Sequence, residues 1–177
     1  MSSHRASSTA LALSLVLLTG ALLSFVACSS GGATEAEDGG RDPENVLGIV
    51  NSRGEDVQLS IEIAATPQER NAGLSGRTGL DENAGMLFVF QQRGNGFWMK
   101  DTTIPLSVAF IGACGDILHI ADMEPLSLQL INPDVPYGFG LEVNQGWFAR
   151  NEIAVGDRVV LPDALLPSAC GPATGSR

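Results

Sequence analysis

The sequence predicts a mainly β (α+β) domain, a small barrel-like or strongly bent antiparallel sheet with about two short helices. Three observations predict it. Val57, Leu59, Ile61 and Ile63 alternate with polar neighbours, the period-two pattern of a half-buried strand. Further short apolar runs follow at hairpin-length spacing, and 21 Gly with 9 Pro supply the turns between them.

Taken in order, a first strand over 46–51 pairs with 56–63 through the turn Ser52-Arg53-Gly54-Glu55. Thr66-Pro67-Gln68-Glu69 then starts a short helix, with Thr66 as cap, Pro67 in the first position and Glu69 closing a capping box; the helix runs to about Ala72. Gly73 and Gly76 end it. Strands are expected at 86–90, 97–100, 106–111, 116–121, 137–143 and 158–161, with a second short helix around 147–151. In the strand carrying the domain's single histidine, simple alternation places Ile117, His119 and Ala121 on one face and Leu118 and Ile120 on the other.

Ahead of this domain the chain reads as an export signal. His4 and Arg5 precede an apolar run that continues past Gly20 to Val26, and small residues surround Ala27-Cys28-Ser29. Ser24-Phe25-Val26-Ala27-Cys28 resembles a bacterial lipobox, in which Cys28 becomes the lipidated first residue; Phe25 departs from the usual Leu. The expected organisation is therefore a signal peptide over 1–27, a lipidated Cys28 with a flexible acidic linker over 28–45, a folded domain over 46–162 and a C-terminal tail over 163–177. The linker carries five carboxylates and no apolar periodicity, so it has nothing with which to build a core. The expected location is the cell envelope, as a membrane-anchored lipoprotein of the periplasm or outer surface.

With Cys28 committed to lipid, Cys114 and Cys170 form an even pair in a compartment that permits disulfides. A bond between them is one reading and two free thiols the other. The net charge of −10 becomes −11 once Arg5 leaves with the signal, because that segment holds one base and no acid. Such a body repels phosphate backbones and has no run of Lys and Arg, so nucleic acid is excluded as a partner.

The segments Glu69-Arg70-Asn71-Ala72-Gly73-Leu74, Gly85-Met86-Leu87-Phe88-Val89-Phe90 and Phe97-Trp98-Met99-Lys100-Asp101-Thr102-Thr103-Ile104-Pro105-Leu106 resemble the DUF192 family. Glu124-Pro125, Leu141-Glu142-Val143, Gly146-Trp147 and Val155-Gly156-Asp157-Arg158-Val159 continue the resemblance in the same order. Members often carry Asn where this chain has Asp101. The resemblance implies a compact, mainly β fold and no agreed reaction.

Chemistry by residue type is sparse. His119 is the one histidine a serine-type triad could use, and an exposed or hydrogen-bonded strand histidine is the plainer explanation; Cys114 in a turn and Cys170 in the tail suit a cysteine nucleophile no better, and one His without a Cys-x-x-Cys leaves zinc short of ligands. Met86, Met99 and Met123 with His119 suggest Cu(I), but apolar packing accounts for the methionines, so no metal and no cofactor is expected. The densest polar cluster is Trp98-Met99-Lys100-Asp101-Thr102-Thr103, which leaves the sheet before Pro105. With Arg70, Glu82 and Glu142 it predicts a polar pocket walled by Trp98 and Trp147, formed by Arg70, Glu82, Trp98, Lys100, Asp101, Thr102, Glu142 and Trp147. Structural ion pairing is the competing account of the same charges. The expected function is a non-enzymatic module that binds a small polar ligand, a glycan or an envelope protein. Alternatives are a hydrolase using Glu82, Asp101 and Glu142, and a purely structural envelope protein.

Overall fold

A computed structural model describes residues 45–91 and 93–170. The export segment, Cys28, most of the acidic linker and the last residues of the tail lie outside them. Seven strands, β1 (Val46–Val50), β2 (Asp56–Ala64), β3 (Ala84–Val89), β4 (Leu106–Ile111), β5 (Ile117–Met123), β6 (Phe139–Asn144) and β7 (Arg158–Val160), make one sheet in the order β5-β4-β6-β3-β2-β1-β7. Two short helices accompany it, α1 (Pro67–Ala72) and α2 (Trp147–Arg150). The sheet curls into a half-barrel, and its edges meet where Asp116 bridges Arg158. The mainly β expectation therefore holds. Among the described residues no helix is long and apolar enough to cross a membrane.

One pairing departs from the antiparallel expectation: β2 and β3 run parallel, with Ser60 opposite Ala84 and Ala64 opposite Phe88. The cause is α1. A parallel pair requires a crossover, and the helix between the two strands supplies it. Thr66 Oγ1 accepts from the Glu69 N–H at 3.2 Å and the Glu69 carboxylate accepts from the Thr66 N–H at 2.8 Å, the reciprocal box that the sequence encodes.

Two further expectations are corrected. Segment 97–100 is not a strand; Phe97 makes an isolated bridge to Ile131, and the chain then turns sharply at Met99–Thr102. A register shift between Phe110 and Ile111 pairs them with His119 and Ile117, leaving Leu118 as the extra residue. Ile117 therefore enters the interior, whereas His119 lies against Phe110 on the opposite face and is exposed.

The sheet has two apolar faces. Inside the curl, Leu47, Ile49, Leu59, Leu87, Leu141 and Trp147 belong to one buried cluster. On the outer face Met86, Phe88, Leu106, Val108 and Phe110 pack under Leu74, Phe97, Met99 and Tyr137 from the connections between the elements. Phe97 seats on Gly140, where a Cβ would come within 2.3 Å of its ring. Cys114, in the turn after β4, is disulfide-bonded to Cys170, with Cα atoms 5.4 Å apart.

Candidate functional site

The outer layer leaves an open cleft of about 480 Å³ between the end of α1, the aromatic residues of β3 and the connection 93–102. That is the size of a small-molecule site. Glu142 places its carboxyl on the floor. Alternation along β6 turns Phe139, Leu141 and Val143 inward and Glu142 outward, where its strand neighbours are Met86 on β3 and Val108 on β4. Glu142 is only 5% exposed, and among the described residues no hydrogen bond or ion pair meets its carboxyl. Burial alone pushes its pKa up to about 8, so the group is a neutral acid at neutral pH.

The charges on the cleft wall are positive: Arg70, Arg93 and Lys100, the chain's only lysine. Arg70 on α1 donates to the carbonyls of Ala65 and Val89 and lies over the Phe90 ring, 5.5 Å from its centre. Arg93 donates to the Pro133 carbonyl at 3.1 Å. Lys100 stands over the half-exposed ring of Trp98, 5.7 Å from its centre. Among the described residues none of the three has a carboxylate within salt-bridge distance. Away from the cleft three of the four described arginines pair with acids, Arg53 with Glu55 and Glu152, Arg77 with Glu62 and Arg158 with Asp116, while Arg150 donates to the Gln145 carbonyl.

Aromatic packing fixes the cleft's inner wall. Phe97 meets Phe88 and Phe110 edge-on at centroid distances of 5.0 and 5.5 Å, and Tyr137 meets Phe90 and Phe110 at 5.7 and 4.9 Å. The Tyr137 hydroxyl accepts from the Gly96 N–H at 2.6 Å and so ties the connection to the strand below; burial raises its pKa.

Five of the residues expected at one site do line this cleft: Arg70, Trp98, Lys100, Thr102 and Glu142. Three lie elsewhere. Trp147 is buried in the interior of the curl, its indole N–H donating to Asn83 Oδ1 at 3.2 Å, because α2 caps the opposite face of the sheet. Glu82 is exposed in the turn before β3. Asp101 is exposed and contributes its backbone, with φ at 55° and its carbonyl accepting from Gly76 N–H at 2.8 Å. Asp and Asn tolerate that left-handed conformation better than most residues, which explains how either can occupy the position. Thr102 is buried, and its hydroxyl donates to the Lys100 carbonyl at 3.3 Å. Arg93 and the ring of Phe90 were not legible as site residues, since nothing in a Gln- and Gly-rich turn marks which side chain returns to the sheet. Among the described residues no three His, Cys, Asp or Glu side chains gather as metal ligands.

Comparison with known proteins bears on the family and the fold. The DUF192 family, described as an uncharacterised ACR, matches residues 48–161. A crystal structure from Sinorhizobium meliloti 1021, of a "putative transcription regulator", is 33% identical with a TM-score of 0.63, covering 64% of this chain and 90% of that one. A protein of unknown function from Novosphingobium aromaticivorans DSM 12444 is 30% identical with a TM-score of 0.60, covering 66% of this chain and 84% of that one. No curated protein matches. The family match spans most of the folded domain, and the chain belongs to the DUF192 family.

Proposed function

We propose that the domain is a non-enzymatic binding module that takes a small polar ligand in the cleft beside Trp98, on an exported, membrane-tethered chain. The observation that carries the reading is Glu142. A nearly buried carboxyl with no protein partner among the described residues costs stability, and a fold retains such a group where something else uses it. The hydrolase alternative asks for paired carboxylates, yet Glu82 and Asp101 do not line the cleft with Glu142. Regulation of transcription is a description of the Sinorhizobium protein; a net charge of −10 argues against DNA as the partner here.

The test is a thermal-shift screen of small polar compounds against the wild type and Ala72→Trp, a substitution at an exposed cleft-lining position that fills the opening. The expected outcome is a compound that raises the Tm of the wild type and not of the variant. A library that stabilises neither, or both equally, sinks the reading. Membrane tethering is tested separately, by labelling cells with a fatty-acid probe: wild type is expected to label and Cys28→Ala to lose both label and membrane fractionation.

A further inference from the structure

We infer that the ligand of this cleft is a small anion bearing carboxylate or phosphate oxygens, held on the Arg93 and Lys100 side with a second polar acceptor lodged against Glu142. The inference rests on the binding reading above and narrows it to a class.

Charge distribution leads there. The chain carries 20 acidic and 10 basic residues, and outside the cleft Arg53, Arg77 and Arg158 each pair with a carboxylate, with Arg150, which donates to the Gln145 carbonyl, the exception. Arg70, Arg93 and Lys100 share one concave wall and, among the described residues, have no carboxylate partner. Arg70 is the most committed of them, with two backbone carbonyls and an aromatic face. Arg93 spends one N–H on Pro133, and the Lys100 ammonium keeps its three donors for solvent or ligand. A neutral ligand would cover these cations without neutralising them. An anion satisfies them with charge-assisted hydrogen bonds.

Glu142 sharpens the class. Among the described residues it is the only carboxyl on the cleft wall, and as a neutral acid it neither repels an anion nor ties up a cation; it offers one O–H donor at depth. The charged groups facing the cleft are Arg70 from α1 with Arg93 and Lys100 from the connection, while β3 and β4 set only Met86 and Val108 beside Glu142. Ionising Glu142 would put a negative charge under the bound anion. Affinity is therefore expected to be full below about pH 8 and to fall by up to tenfold per pH unit above it.

The experiment titrates the folded domain separately with inorganic phosphate, succinate and glucose, following backbone amide shifts by NMR. Expected is saturable binding of phosphate or succinate, whichever group the site prefers, with shifts at Gly96, Trp98 and Thr102. Lys100→Ala and Arg93→Ala, both exposed positions, each weaken it at least tenfold without altering the fold's spectrum. Glu142→Gln presents an amide donor at every pH and abolishes the alkaline loss of affinity. Glucose binding with no anion binding overturns the anion inference and leaves the binding module standing. Anion binding unaffected by both cation variants overturns it too, and failure of all three probes to reach the cleft counts against both readings.

Discussion

The two faces of β6 are one residue apart and follow different rules. Inward, Phe139, Leu141 and Val143 join a cluster closed by Trp147 and Phe148, with no charged side chain in it. Outward, Gly140, Glu142 and Asn144 lie under a layer built from loops, and one of them is a dehydrated acid. The inner face is organised to exclude water from everything. The outer face is organised to exclude it from most things while keeping one polar group reachable. On the proposed binding reading, stability and recognition fall on opposite sides of the same strand.

The largest expected effect tests the inner face. Trp147→Ala empties a side chain that is 1% exposed and should cost about 3–5 kcal/mol in urea unfolding. Phe97→Ala, which removes the centre of the outer layer, is expected to cost less, because the cleft beside it can admit water. Equal costs would erase the distinction between the two faces. Next, replacing Cys114 and Cys170 together with Ser frees a tail joined across 56 positions of sequence, and loop-closure entropy puts the loss at about 4 kcal/mol or below.

Glu142→Gln sharpens the outer face. The carboxyl has a folded pKa of about 8 against an ordinary 4.5, so between those values the folded state holds more protons than the unfolded. Wild-type stability must then fall as pH rises through that window, by up to ~1.4 kcal/mol per pH unit. The Gln variant lacks that slope. Melting both proteins from pH 5 to pH 8 should show them diverging toward the alkaline end, and parallel curves would mean the carboxyl is hydrated. The acids whose pKa values are lowered, Glu55, Glu62 and Glu69, act below this window and leave the comparison clean. The smallest effect belongs to neither face. Arg77 forks onto Glu62 at 2.5 and 2.7 Å, but both side chains are substantially solvated, and a double-mutant cycle should find less than about 1 kcal/mol.

Much of the fold was legible because its elements are local statements. Period-two alternation gives β2, the capping box gives α1, and Gly-bounded apolar runs give β3, β4 and β6. What escaped is non-local. The parallel partnership of β2 and β3 depends on where the crossover lands, and the extra residue at Leu118 follows Ile117, whose backbone bonds to Gly156 and Asp157 far along the chain. The site divided the same way. Residues of one continuous motif, Trp98, Lys100 and Thr102, stay together by proximity, while Trp147 shares a motif with Glu142 yet belongs to the opposite face. Composition could say that Trp147 was large and apolar; only the handedness of the turn into α2 decides which side of the sheet it enters.

The seat of Phe97 on Gly140 gives the molecule an unusual division of labour. Because the ring rests on backbone, with no side chain at 140 to negotiate with, the connection above is located by a missing atom as well as by its bonds to Tyr137 and Ile131. Phe97, Met99 and Thr102 are buried points of this connection, while Arg93, Trp98 and Lys100 stand exposed between them. The half-barrel then works as a socket, and on the binding reading the exposed side chains are a fitting that can be exchanged while the part that carries them need not be rewritten.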